Sequence, residues 1–147
     1  TQASELIGQY FSEYPGVRKY MDRTIDFARQ RGYVQTIAGR RRFLRDINSR
    51  NAATRGAAER NAINSPIQGS AADMIKIAMG RIDRTIRERG LRSRMLLQVH
   101  DELVFDLRRD EADVLPALIE REMKDAMPLR VPVVVDTGQG ENWLDAH

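Results

Sequence analysis

Two apolar segments separated by three residues impose the strongest constraint on how this sequence can fold. Met95–Val99 and Leu103–Leu107 have the composition of β-strands, and only His100, Asp101 and Glu102 connect them. Strands joined so closely pair as an antiparallel hairpin, because a parallel pair needs a crossover connection of about a dozen residues or more. The sequence therefore predicts a rigid apolar hairpin with a charged tip.

Helical periodicity surrounds this hairpin and a second, shorter one. Tyr33–Ile37 and Arg41–Leu44 are predicted to pair about an Ala-Gly-Arg turn. Pro66 is predicted to interrupt a long helical stretch. Apolar residues recur with helical spacing in four segments, at residues 3–14, 16–31, 52–64 and 67–89.

The C-terminal part of the chain adds one more helix and one more strand to this prediction. Asp110 is a candidate N-cap for a helix that reaches Met127, and Pro116 is expected to kink it. Val131–Thr137 has the composition of a final strand. Strands interleaved irregularly with helices predict an α+β fold, with helices on one face of an antiparallel sheet.

The uneven charge distribution indicates a surface that faces a polyanion. Residues 1–100 contain 19 Lys and Arg against 9 Asp and Glu, whereas residues 101–147 contain 5 against 12. Residues 29–60 alone hold nine Arg, and their acidic residues are Asp46 and Glu59. Guanidinium groups present fixed forks of donors that suit phosphates and base edges. The clustering therefore favours nucleic acid as a partner.

Composition also excludes several classes of protein. Cysteine is absent, which rules out disulfides, thiol nucleophiles and cysteine-based zinc sites, and which is compatible with a reducing cytoplasm. No run of 18 apolar residues exists, so we expect no membrane span. Residues 1–10 show no secretory signal. Because the chain opens at Thr1 and enters a helical pattern almost at once, we expect it to be an internal piece of a longer protein.

The tip of the predicted hairpin is a candidate metal site. Tight hairpin turns favour glycine because they need positive φ, yet this tip holds His100, Asp101 and Glu102. Two adjacent carboxylates are hard oxygen ligands of the kind that Mg²⁺ prefers. Strand alternation places Gln98 and His100 on one face of the hairpin. The alternative is an ordinary solvated turn.

A row of polar residues on the predicted long helix is a candidate nucleic-acid contact. Arg60, Asn64 and Gln68 recur every four residues and therefore share one helix face. Their side chains can donate to the acceptors that recur across base pairs in the minor groove. Gly69, Ala71 and Ala72 keep the helix surface low and permit close approach of a backbone or strand. The alternative is a polar stripe that faces solvent.

Four segments of the sequence resemble conserved blocks of the A family of DNA polymerases, the family of bacterial DNA polymerase I. They occur in a consistent order over essentially the whole chain, and they are Gly32–Arg42, Glu59–Asp73, Leu96–Phe105 and Val131–Trp143. The resemblance implies part of a polymerase palm, an antiparallel sheet packed on long helices, together with the C-terminal helices of the fingers. Residues 1–55, with the basic hairpin 33–44, would belong to the fingers, and residues 56–147 to the palm.

The resemblance also implies roles for individual residues. Asp101 matches one of the two aspartates that bind the catalytic Mg²⁺ pair, and Glu102 matches the neighbouring catalytic carboxylate. The DNA-binding residues that it implies are Gln98 and His100 near the primer terminus, Arg60, Asn64 and Gln68 in the minor groove, and Arg40 and Arg41 near the template backbone. The family's second metal-binding aspartate has no counterpart in this sequence, so the two-metal site is expected to be completed from outside this chain.

The implied function is DNA-templated DNA synthesis in replication and repair by a bacterial, cytoplasmic enzyme. The reaction is nucleotidyl transfer from a deoxynucleoside triphosphate to a primer 3′-hydroxyl on primer–template DNA, with Mg²⁺ as the cofactor. The isolated piece is expected to be inactive, and the exposed sheet edge would allow a homodimer. The alternative hypothesis is a non-catalytic module that binds duplex DNA; an RNA polymerase of the same broad superfamily is a weaker rival.

Overall fold

The computed structural model describes residues 2–146, so Thr1 and His147 lie outside the described residues. Its helices are α1 (Gln2–Glu13), α2 (Pro15–Arg31), α3 (Ala52–Glu88) and α4 (Leu115–Lys124), with a short 3₁₀ turn at Arg109–Glu111. Its strands are β1 (Tyr33–Gln35), β2 (Arg41–Phe43), β3 (Arg94–Val99) and β4 (Glu102–Asp106). The strands form two antiparallel hairpins, β1–β2 and β3–β4. The predicted α+β class is confirmed.

The chain folds as two compact units, which divide between Ala71 and Ala72 within α3. In the first unit, α2, the β1–β2 hairpin and the N-terminal half of α3 enclose a small core, with Val34 as its largest fully buried side chain. In the second unit, the C-terminal half of α3, the β3–β4 hairpin and α4 pack around Ile82 and Leu115. Within residues 2–146, no helix combines the length and apolar character needed to cross a membrane.

Helix α3 is a single helix of 37 residues that passes through Pro66 without a break, so the predicted interruption is wrong. Asn51 caps its N-terminus, because its Oδ1 accepts hydrogen bonds from the backbone N–H groups of Ala53 and Thr54. Gly90 adopts a φ of +65° beyond its C-terminus, a conformation that glycine tolerates best.

Contacts of the residues just before Pro66 explain why the helix continues. A proline removes one backbone donor and disfavours helical geometry at the preceding residue, here Ser65. Ser65 is nevertheless buried, its hydroxyl donates to the Asn61 carbonyl, and the Tyr20 hydroxyl donates to the Ile63 carbonyl at 3.1 Å. Packing against α2 and the hairpin therefore overrides the local preference.

The β1–β2 hairpin is fixed to α3 by three hydrogen bonds to consecutive parts of the helix. They run from Arg42 Nη1 to Ser65 Oγ at 3.0 Å, from Arg40 Nη2 to the Gly69 carbonyl at 3.0 Å, and from Ile37 N to Ser70 Oγ at 2.9 Å. Gly69 permits this approach, because a Cβ there would lie 2.6 Å from Thr36 Cγ2. The predicted close approach at Gly69 is confirmed, and the group that approaches is the hairpin of the same chain.

Two C-terminal predictions are wrong. The helix predicted to start at Asp110 begins at Leu115, so Pro116 occupies the first turn, where its missing N–H costs nothing. Asp110 instead accepts hydrogen bonds from Arg92 and Arg108. The segment Val131–Thr137 forms no strand, because no other strand of the described residues 2–146 pairs with it.

A buried carboxylate joins the start of β3 to the segment that follows β4. The Glu111 side chain accepts hydrogen bonds from Arg92 N at 2.7 Å, Ser93 N at 2.9 Å and Ser93 Oγ at 2.6 Å. Ser93 Oγ in turn accepts from Arg108 N at 3.0 Å. The Ser93 hydroxyl and the backbone donors lower the pKa of Glu111, because they stabilise its charged form.

We expect Glu111→Gln to destabilise the protein at neutral pH, since an amide presents one acceptor oxygen where the carboxylate presents two. A carboxyl group whose pKa is lowered by folding contributes stability above its unfolded pKa, and this contribution is lost as pH falls through the folded value. The difference between wild type and variant should therefore be largest near pH 7 and should shrink below about pH 4. Urea unfolding at pH 7 and pH 3 measures it; an equal difference at both values would contradict the assignment.

Gly69→Ala should destabilise the protein by about 1–3 kcal/mol, because the added methyl group overpacks against Thr36. Gly80→Ala is the matched control in the same helix: nothing lies within 4 Å of a Cβ there, so alanine should stabilise by about 0.5–1 kcal/mol. Thr36→Ser removes the opposing methyl group and should rescue Gly69→Ala. Denaturant unfolding measures all three changes, and two glycine variants with the same sign would contradict the packing.

Candidate functional site

The acidic tip of the β3–β4 hairpin is a turn of two residues. Val99 pairs with Glu102, so His100 and Asp101 form the turn and Glu102 is the first residue of β4. The three-residue connection predicted from the sequence is therefore one residue too long. His100 has a φ of +54°, and among residues 2–146 no other non-glycine residue has a positive φ. A histidine thus occupies a backbone conformation that usually selects glycine.

Gln98 helps to hold this turn. Its Nε2 donates a hydrogen bond of 2.8 Å to the His100 carbonyl, and both side chains are exposed. Asp101 is exposed at the tip, and Glu102 is half-buried beside it. The structure therefore brings together the four residues that were predicted for this hairpin. It presents the Asp101 carboxylate to solvent on a turn whose backbone is anchored.

A β-bulge in β3 was missed by the sequence analysis. The pairing of Met95 with Phe105 is followed by that of Leu97 with Val104, so Leu96 has no partner in the ladder. Leu96 and Leu97 are 58% and 47% exposed. Bulges strengthen local twist and re-aim the residues that follow, which here lead into the acidic turn. The only sign of this bulge in the sequence is the apolar run Met95-Leu96-Leu97, where strict strand alternation would place a polar residue between two apolar ones.

The acidic turn offers an incomplete metal site. Mg²⁺ takes oxygen ligands and commonly binds through one or two carboxylates together with water and substrate phosphates. Asp101 and Glu102 supply oxygen donors of this type. Among the described residues, no group of three or more His, Asp or Glu side chains is placed to hold a metal. A cation bound at Asp101 would therefore need further ligands from substrate or from outside these residues.

The polar row on α3 is exposed along its length. Arg60, Asn64 and Gln68 all lie on the surface of one continuous helix, as its periodicity predicted. At 1.5 Å of rise per residue, the first and last Cα atoms of the row are about 12 Å apart along the helix axis. Each side chain carries hydrogen-bond donors. The row can therefore contact several successive acceptors on one elongated partner.

A small cleft brings the basic hairpin together with Gln68, the last residue of the polar row. Its volume is about 180 Å³, and the polar residues that line it include Arg40, Arg41, Arg42, Ser65 and Gln68. The sequence indicates Arg40, Arg41 and Gln68 for separate reasons and does not predict that they share one cleft. Arg42 and Ser65 were not predicted, although the run of three arginines after Gly39 was a signal for the former.

Local ion pairs neutralise an acidic residue on the surface that carries the polar row and the cleft, and this surface stays largely positive. Glu59, one of the two acidic residues in the arginine-rich segment 29–60, lies 2.7 Å from Arg29 Nη2 and 3.7 Å from Arg55 Nε. Exposed pairs of this kind contribute little to stability. Here they neutralise the carboxylate that directly precedes Arg60 in the sequence. The exposed donors and the arginine-lined cleft suit a polyanion, and the acidic turn supplies part of a ligand set for a cation.

Comparisons with known proteins identify the family of this chain. The model of the family described as "DNA polymerase family A" matches residues 1–145. DNA polymerase I of Geobacillus stearothermophilus is 49% identical over 145 residues, which are 99% of this chain and 17% of that protein. DNA polymerase I of Caldicellulosiruptor bescii is 46% identical over 144 residues, which are 98% of this chain and 17% of that protein.

A solved structure is similar over the whole fold. It is described as the POL domain of Pol1 from M. smegmatis in complex with DNA primer-template and dNTP. Its TM-score is 0.96 at 48% sequence identity, and the match covers 99% of this chain and 26% of that one. The chain thus spans about one sixth of the length of the curated relatives and a quarter of the solved domain. The resemblance inferred from four sequence segments is confirmed, and the chain belongs to DNA polymerase family A.

Proposed function

We propose that this chain is part of a DNA-directed DNA polymerase that adds deoxynucleotides to a primer 3′-hydroxyl. The observation that carries the proposal is the exposed Asp101 turn, in a chain whose fold matches a polymerase domain bound to primer-template and dNTP. Within this proposal, residues 1–55 belong to the fingers and residues 56–147 to the palm. The setting we propose is DNA replication and repair in a bacterial cytoplasm.

Asp101 would act as a metal ligand, and Glu102 as the neighbouring carboxylate. When bound, two Mg²⁺ ions would lower the pKa of the attacking hydroxyl and neutralise charge on the leaving pyrophosphate. The chain's own contribution is to hold the Asp101 carboxylate on an anchored turn, with the Gln98 amide bonded to the turn backbone. Because the described residues supply only part of a ligand set, the isolated chain is proposed to be catalytically inactive.

The polar row would read the minor groove of the primer–template duplex. Arg60, Asn64 and Gln68 donate to acceptors that every base pair presents there, so they tolerate any sequence and still sense the shape of a pair. Gln98 and His100 would act in the same way near the primer terminus. A mispair that displaces its acceptors leaves these donors unpaired, at a cost of about 1–3 kcal/mol each. Arg40 and Arg41 would contact the phosphates of the template strand.

A non-catalytic module that binds duplex DNA is the second candidate function. The observation that favours it is that residues 2–146 contain no complete metal-binding cluster. Both functions require the polar row to bind duplex DNA. They differ in whether Asp101 takes part in chemistry, so substitution of this residue separates them.

Asp101→Ala in the full-length protein that contains this chain should reduce primer extension by at least about a hundredfold, because a metal ligand is lost. Its affinity for primer–template DNA should stay within about twofold. Asp106→Ala is the matched control, since Asp106 is an exposed carboxylate at the other end of β4 and should be dispensable. Single-turnover extension and fluorescence anisotropy provide the two readouts. Activity of Asp101→Ala within tenfold of wild type would remove its metal-binding role and favour the second candidate.

Asn64→Ala should lower the rate of extension from a matched primer by roughly tenfold, since one minor-groove contact is lost. Asn61→Ala is a matched control. Asn61 is an exposed asparagine on the same helix but lies outside the row, so its substitution should leave the rate unchanged. A primer-terminal base that lacks its minor-groove acceptor should slow the wild type and slow Asn64→Ala no further. Additive effects of the base change and the substitution would contradict direct contact.

A further inference from the structure

The β1–β2 hairpin carries an aromatic face whose three rings have no role in the function proposed above. This face consists of Phe27 from α2 with Tyr33, Arg41 and Phe43 from the hairpin. The rings of Phe27 and Tyr33 meet edge-on with centroids 5.6 Å apart, and those of Tyr33 and Phe43 with centroids 5.8 Å apart. The guanidinium carbon of Arg41 lies 4.6 Å above the centroid of the Tyr33 ring.

Strand alternation separates the aromatic face from the side of the hairpin that packs on α3. Tyr33 pairs with Phe43 across the hairpin, and Arg41 precedes Phe43 by two residues, so these three share one side. Val34 and Arg42, which also pair with each other, point to the opposite side. Val34 is buried in the core and Arg42 donates to Ser65 on α3. The inner side accounts for the stability of the hairpin, and the aromatic face remains outside.

Two of the three aromatic side chains of this face are exposed to solvent, although both are apolar phenylalanines. Phe43 is 70% exposed and Phe27 is 41% exposed. Contiguous exposed apolar groups rimmed by polar residues commonly mark interaction sites. The arginine stacked on Tyr33 adds a positive charge to this face.

The charge around the aromatic face favours a negatively charged partner. The arginine-rich segment 29–60 surrounds it in sequence, and Glu59 within this segment is already paired with Arg29 and Arg55. Flat π surfaces combined with arginines bind single-stranded nucleic acid, because each base can stack while its phosphate meets a cation. A double helix could not use the rings in this way, since its bases are already stacked on each other.

We propose that the aromatic face binds unpaired nucleotides, with a base stacked on Phe43 and the flanking phosphate near Arg41. Arg41 also lines the cleft that contains Gln68, so one residue borders both this face and the polar row. A strand that leaves the duplex at Gln68 could therefore continue onto the aromatic face. This position next to the duplex rests on the proposed function, whereas stacking on Phe43 does not.

The test uses the full-length protein that contains this chain, with a single-stranded thymidine oligonucleotide and a blunt duplex as separate probes. Phe43→Ala should weaken binding of the single strand by roughly tenfold, the effect of losing one base–aromatic stack. Its affinity for the blunt duplex should change by less than about twofold. Phe43→Trp should preserve binding, and the fluorescence of the new indole should be quenched when the single strand binds.

Tyr14→Ala is the matched control, because Tyr14 is an aromatic residue of similar exposure that lies outside the arginine-rich segment. It should leave both affinities unchanged. Single-strand binding by Phe43→Ala within about twofold of wild type would overturn the inference, as would an equal loss on the duplex or a change in oligomeric state in place of a change in single-strand binding. Failure of the proposed polymerase function would appear separately, as wild-type protein that does not extend a primer.

Discussion

The continuity of α3 through Pro66 is the constraint on which the polar row of Arg60, Asn64 and Gln68 depends. A break or kink at this proline would rotate Gln68 away from Arg60 and Asn64 and divide the polar row. The helix continues because Ser65 is buried beneath the hairpin and because Tyr20 bonds to the Ile63 carbonyl. The hairpin approaches α3 closely at Gly69, where a Cβ would lie 2.6 Å from Thr36 Cγ2. The exposed polar row, for which a function is proposed, is thus held in place by buried contacts of residues to which no function is assigned.

In the second unit, the position of the acidic turn likewise depends on contacts made by other residues of the β3–β4 hairpin and its flanking segments. This turn places an exposed carboxylate at a tip that only two residues form, with His100 in a conformation that glycine usually adopts. Two groups of contacts hold it: the Gln98 amide bonds to the turn itself, and Glu111 ties the base of β3 to the segment after β4. An anchored turn suits a metal ligand, because its position does not depend on a mobile loop.

Much of the fold and the composition of both surfaces could be predicted from the sequence, because they depend on local patterns. Periodicity located the helices and both hairpins, and four-residue spacing identified the exposed row on α3. The errors occurred where tertiary contacts decide. The helix continues through Pro66 because Ser65 is buried and Tyr20 bonds to the Ile63 carbonyl. Val131–Thr137 forms no strand because a strand needs a partner. The cleft shared by Arg42, Ser65 and Gln68 joins residues more than twenty positions apart, so no local pattern could indicate it.

The most direct test of the account is a structure of the full-length protein bound to primer–template DNA, an incoming nucleotide and Mg²⁺. The account predicts an Asp101 carboxylate oxygen about 2.0–2.1 Å from a metal ion, as Mg²⁺ coordination requires. It also predicts the side chains of Asn64 and Gln68 within hydrogen-bond distance of minor-groove acceptors in the same duplex. A complex in which Asp101 faces solvent away from the primer terminus, or in which the polar row touches no base pair, would contradict it.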